Sequence, residues 1–158
     1  MAELKQRNDV LAPHYVKVVK YNGENTTKVL KFIPSLIKST FKVTSTNFYE
    51  DFFKWDNVTE VNDFFAAWRG KYSYDNRTSL WVDVKVQGVQ NEKTKKGNVT
   101  IWIRGYIITK FTYENILMKS LLRLYSYYFY SGQKIKYNEE AKRNLDIFEK
   151  EVKTQLGI

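Results

Sequence analysis

Two hydrophobic rhythms alternate along this chain. In FFAAWRGKYSY (residues 64–74), LWVDVKVQGV (80–89) and NVTIWIRGYIIT (98–109), apolar residues recur near every second position. That spacing puts them on one face of a strand. The polar links DNRTS and NEKTKK between these stretches are short, which predicts an antiparallel meander. Elsewhere the period lengthens to three or four. Residues 26–41, TTKVLKFIPSLIKSTF, space Val29, Leu30, Ile33, Ile37 and Phe41 as a helix capped by Asn25 or Thr26. Pro34 lies inside it and predicts a kink or the start of a second short helix.

The same period returns from Leu117, where Leu117, Met118, Leu121, Leu122, Tyr125, Tyr128 and Phe129 form one apolar stripe. The run RLYSYYFYSGQKIKY (123–137) is rich in rings, and this spacing predicts that most of them pack in the core. A last helix, capped by Asn138 and ended by Gly157, lines up Ala141, Leu145, Phe148, Val152 and Leu156. Its polar face offers Glu139–Arg143, Asp146–Lys150 and Glu149–Lys153 as i,i+4 pairs. Shorter signals fill the rest. YVKVVKY (15–21), closed by Asn22-Gly23, and KVTSTNFY (42–49) read as strands, and residues 50–63 as a loop or a short helix. Residues 1–13, polar and ended by Pro13, read as a flexible leader to a single domain spanning 14–158.

The fold class that follows is α+β: a β-α-β unit, then a three-stranded meander. Its mostly antiparallel sheet is covered on one face by the kinked N-terminal helix and two C-terminal helices. Placing Leu80, Val82, Val84 and Val86 inward requires Val99, Ile101, Ile103 and Ile107 to join them. This pairs Val84 with Ile103 and Val86 with Ile101. The preceding hairpin is expected to pair Tyr72 with Val82 and Trp68 with Val86. The opposite face then displays Arg69, Lys71, Trp81, Asp83, Lys85, Trp102, Arg104 and Tyr106, with Lys71, Asp83 and Arg104 in one row.

Charge gives that second face its meaning. The chain of 158 residues carries a net charge of +9, with 16% aromatic residues. Such a balance favours polyanionic partners, although a chain rich in Lys, Asn, Tyr and Ile also fits AT-rich coding. EDFFKWDNVTEVND (50–63) holds five acids against one lysine, so the remainder is more basic still. Exposed rings on a sheet stack bases while cations neutralise phosphate, which makes this face a candidate surface for RNA or a ribonucleoprotein. Arg123, Tyr127 and Tyr130, extended by Lys134 and Lys136, form a second candidate strip on the far side of the aromatic helix.

Two other readings stay open beside it. In a helix-grip arrangement, Trp68, Tyr72 and Tyr74 of the sheet and Tyr125 and Tyr128 of the helix would line a pocket for a small apolar ligand. Alternatively, Trp81, Trp102 and Tyr106 would form a homodimer surface.

Catalytic chemistry is sparse. No cysteine is present, which excludes disulfides, thiolate nucleophiles and Cys-based metal sites, and the single His14 excludes His-pair sites. No phosphate loop or nucleophile elbow appears, and Glu50, Asp51, Asp56, Glu60 and Asp63 match no calcium loop. The expectation is a protein without catalytic residues, cofactor or metal. No apolar run reaches the roughly 20 residues of a membrane span. The start shows no secretory pattern, so a cytoplasmic setting is expected and the sequons at Asn25, Asn57, Asn76 and Asn98 read as chance.

The G-x-V-x-I-x-I-x-G-x-I pattern of Gly97–Ile107, followed by the Leu/Tyr-rich stretch 117–130, resembles small archaeal α+β proteins of unknown function. The resemblance covers about the C-terminal third and implies a cytoplasmic archaeal protein. It brings no function with it.

Overall fold

A computed structural model describes residues 2–158 as an antiparallel six-stranded sheet with helices on one face. The strands are β1 (Ala2–Asp9), β2 (Lys17–Glu24), β3 (Phe48–Asp56), β4 (Val61–Ser73), β5 (Thr78–Asn91) and β6 (Lys96–Tyr113). The helices are α1 (Val29–Thr40), α2 (Ile116–Tyr128) and α3 (Ser131–Leu156). From β6 the sheet runs to β5, β4 and β3, and β1 and β2 share the other side of β6. β1 pairs with Tyr106–Tyr113 and β2 with Lys96–Ile103. Among the described residues no helix is long and apolar enough to cross a membrane.

The β5–β6 register matches the sequence reading, with Val84 opposite Ile103 and Val86 opposite Ile101. The β4–β5 register differs from it by two residues, because Tyr72 faces Leu80 and Trp68 faces Val84. The cause lies in the turn. Asp75 accepts hydrogen bonds from the backbone N–H groups of Arg77 (2.7 Å) and Thr78 (2.8 Å). Tyr74 N–H reaches the Thr78 carbonyl at 2.9 Å, which closes a tighter loop than the one expected. A shift of two keeps every side chain on its face. The charged row across the sheet is therefore Arg69, Asp83 and Arg104, and Lys71 moves beside Trp81.

Two stretches read as irregular are strands. Residues 2–9 are not a loose leader but β1, which covers the C-terminal half of the 18-residue β6. Their alternation is too polar to announce a strand, and the unpaired edge of β6 supplies the reason to form one. The acidic stretch after residue 48 forms β3 and, after a short turn at 57–60, the start of β4. Its acids suit an edge strand open to water, while Phe52, Phe53 and Trp55 supply β-propensity. Residues 45–47, expected inside a strand, are one 3-10 turn.

Helices α1 and α3 cover the apolar face. α1 buries Val29, Ile33 and Ile37, continues through Pro34 as one element, and follows a 3-10 turn at Thr26–Lys28. Thr26 there donates to the Val89 carbonyl at 2.9 Å. α3 buries Ala141, Leu145, Phe148, Val152 and Leu156, the stripe expected, and ends at Gly157 with φ 77°. It begins seven residues before Asn138. Gly105 lets it lie close, since a Cβ there would sit 2.7 Å from a Leu145 methyl. Of the three expected pairs on its surface only Glu149–Lys153 forms, at 3.0 Å. Asp146 and Glu149 instead both hold Lys17 of β2 at 2.8 Å. Burial weakens the charge of Lys17, and these two carboxylates outweigh it and raise the pKa.

Candidate functional site

The face of the sheet away from α1 and α3 carries no covering element among the described residues. Strand alternation sets its content. Phe65, Ala67, Arg69 and Lys71 come from β4, Trp81, Asp83, Lys85 and Gln87 from β5, and Thr100, Trp102, Arg104 and Tyr106 from β6. All eight sheet residues expected to form this surface are on it, and Val82, Val84, Ile101 and Ile103 lie buried on the other side.

The face divides into two halves. Around Trp81, aromatic and cationic groups satisfy one another. The Arg69 guanidinium lies 5.1 Å from the Tyr49 ring and 5.2 Å from the Trp81 ring, and Tyr49 stacks on Trp81 at 6.2 Å. Lys71 lies 5.6 Å from the Trp81 ring on its other flank. Asp51 takes an Arg69 N–H at 3.3 Å, while Arg104 pairs with Asp83 at 3.6 Å. Burial pushes the Asp83 carboxyl above its ordinary pKa, opposed by Arg104 and Arg69. Arg7 of β1 lies 4.0 Å over the Tyr106 ring.

Around Trp102 the arrangement is unfilled. Trp102 is half-buried, and no ring among the described residues stacks on it. Val18 of β2 and Lys85 of β5 flank it across the sheet. A depression of about 440 Å³ lies here, lined by Val16, Phe65, Asp83, Lys85, Gln87, Trp102 and Arg104. It adjoins one of about 520 Å³ that shares Phe65, Gln87 and Trp102 and continues past Phe52 and Lys54. A third, of about 330 Å³, reaches from Lys85 and Asp83 towards Tyr106. Together they make a trough floored by rings and edged by both charges, with Lys54, Arg69, Lys85 and Arg104 set among Asp51, Asp56, Asp63 and Asp83. Lys85 has no carboxylate within 4 Å among the described residues, so its charge faces solvent.

Sequence reasoning missed Phe65, Gln87, Phe52, Tyr49 and Val16. Phe65 shares the parity of Arg69 and Lys71 in an already recognised strand, and that signal was sufficient to find it. Phe52 was hidden because residues 50–63 read as a loop or a short helix, and Tyr49 because the strand read at 42–49 was given no pairing.

The second candidate strip does not assemble. Arg123 and Tyr127 are exposed on α2, whereas Tyr130 is buried at the foot of α3. Its hydroxyl donates to Asp75 and also bonds the Thr78 hydroxyl. Burial, with Asp75 beside it, pushes the Tyr130 pKa up to about 12. Burial also pushes Asp75 up, but the hydrogen bonds from Tyr130, the Arg77 and Thr78 amides and Tyr137 outweigh it and hold its pKa low. Lys134 turns inward to Gln6 and Ser126, and burial lowers its pKa.

The ligand pocket does not assemble either. Trp68 is a core residue, and Tyr72 and Tyr74 pack with Tyr137 of α3. Tyr128 points to solvent, and Tyr125 packs against Phe111 and Tyr130 instead of facing them. The space beside Tyr72 and Tyr74 is about 80 Å³, below the few hundred that a ligand site needs. The acidic residues Glu50, Asp51, Asp56, Glu60 and Asp63 are strung along β3, the turn after it and the start of β4. Among the described residues no group of three metal-ligating side chains converges.

No protein-family profile matches this chain, and no curated protein matches it.

Proposed function

We propose that this chain is a non-catalytic binding protein that takes up single-stranded RNA, free or within a ribonucleoprotein, on the open face of its sheet. The observation that carries this reading is Trp102: an unstacked indole in a trough, with Lys85 across from it and Arg104 two residues along its strand. A base stacking there gains what Trp81 already receives from Tyr49 within the chain. Phe65 and Phe52 continue the floor, and Lys54 and Lys85 stand where a backbone would pass. Base–aromatic stacking is tolerant of sequence, so binding is expected to show little base preference and strong salt dependence. A cytoplasmic location belongs to the same reading.

Titration of a labelled single-stranded RNA of about ten nucleotides, in low and rising salt, tests it. Binding that weakens steadily as salt rises is the expected result. Absence of binding at low salt, or binding indifferent to salt, overturns the proposal.

A further inference from the structure

Helix α2 is turned the wrong way for a chain that stands alone. Asn115 caps it by accepting the Met118 N–H at 2.8 Å. Its inward side is partly polar. Ser126 is buried and donates to Gln6 Oε1 at 3.0 Å, and Lys119 is half-buried with Nζ 5.5 Å from the Tyr113 ring. Most of the apolar stripe that the sequence assigns to the core instead faces water: Leu117 is 71% exposed, Leu121 58% and Tyr128 67%. Leu124, outside that stripe but beside it on the helix, is 54% exposed. Only Leu122 is half-buried, and Tyr125 leans on Phe111 at 6.3 Å. Burying serine and lysine while exposing leucine costs free energy unless something covers the stripe.

The stripe has its own grammar. Leu117, Leu121, Leu124 and Tyr128 are separated by four, three and four residues, the alternation of a helix-pairing seam. The residues beside that seam, Met118, Ser120, Tyr125 and Tyr127, are all uncharged. Lys119 and Arg123 fall off it. Two copies of a chain with net charge +9 repel over most of their surface. On this helix they meet without opposed charges.

Exposure points the same way. Leu117, Met118, Leu121, Leu124, Tyr125, Tyr127 and Tyr128 are all exposed along one side of this one helix, a contiguous apolar patch of the kind that marks an interaction surface, whereas single exposed apolar residues are ordinary. A lipid surface fits less well, because the cation Lys119 is turned towards the protein and away from the apolar edge.

We infer that α2 is a homodimer interface, in which the Leu117–Leu121–Leu124–Tyr128 seam packs against the same seam of a second copy about a two-fold axis. Each dimer then carries two open sheet faces. The interface does not depend on what those faces bind.

The test is sedimentation of the full chain at micromolar concentration. Wild type is expected at twice the 18.8 kDa chain mass, and the Leu121→Glu, Leu124→Glu double variant at the single mass with an unchanged circular dichroism spectrum. Trp102→Ala is expected to stay dimeric, which separates this interface from the sheet face. Because the chain has no cysteine, Leu124→Cys supplies a check with the rest of the helix intact. Mild oxidation should cross-link it, and should leave Val58→Cys, in an exposed turn, uncross-linked. A monomeric wild type overturns the inference. So does a double variant that remains dimeric, or a monomer that binds anionic phosphatidylserine vesicles through α2.

Discussion

Trp81 and Trp102 come from adjacent strands, lie on one face and are each half-buried, yet their surroundings differ. Trp81 has a ring at 6.2 Å and cations at 5.2 and 5.6 Å, all from its own chain. Trp102 has a trough beside it and no ring stacked upon it. An aromatic residue on an open sheet is therefore not a binding platform by position alone. What matters is whether the chain has already used its π-face. Trp81 serves the fold, and Trp102 keeps an unstacked ring, on which the proposed binding rests.

The largest effects that sharpen this contrast are on stability. Trp81→Ala removes the stack with Tyr49 and the seat of Arg69, and should destabilise by about 2–4 kcal/mol. Trp102→Ala, which removes less packing, should cost under about half as much. Denaturant titration of both variants measures the difference, and equal losses would erase the distinction between the halves.

Tyr130 extends the contrast to a residue that looked like surface and is core. Tyr130→Phe removes hydrogen bonds to Asp75 and Thr78 and should cost about 1–3 kcal/mol. Its pH dependence has a definite sign. The folded pKa, raised to about 12 from 10.0, favours the neutral hydroxyl, so its stabilisation is complete below pH 10 and is lost as pH rises towards 12. Melting temperatures from pH 8 to 11 should fall more steeply at the alkaline end for wild type than for Tyr130→Phe.

The smallest effect is electrostatic. Lys85→Ala should leave stability nearly unchanged and lower the magnitude of the salt slope of RNA binding by about one phosphate contact. Arg69→Ala, whose charge is already matched by Asp51, should change the slope less while lowering the melting temperature. Parallel salt titrations of the two variants read this directly.

How much of this was written in the sequence varies with the physics of each element. The β5–β6 hairpin was legible because two long period-two patterns admit one register that buries both apolar sets. The β4–β5 hairpin was legible in face but not in register, since its loop length depends on the Asp75 carboxylate bonding two backbone amides. β1 and β3 were illegible because edge strands carry charge, the composition that also marks loops. Helix α2 was read correctly as a helix and wrongly as core. Periodicity reveals that a helix has an apolar side, but not whether that side meets its own chain. The open face was legible in its eight expected residues, and the difference between its two halves was not. That difference depends on Tyr49, which β3 delivers from the end of a stretch read as a strand without an assigned partner.

The measurement that bears most directly on the open face is the affinity of one single-stranded RNA for Trp102→Ala and Trp81→Ala, each folded and at one salt concentration. A stacked base is worth about 1–3 kcal/mol, so Trp102→Ala should weaken binding by roughly tenfold to a hundredfold or more, and Trp81→Ala by no more than about threefold. Equal losses in the two variants, or a larger loss from Trp81→Ala, would contradict the assignment of Trp102 as the stacking residue.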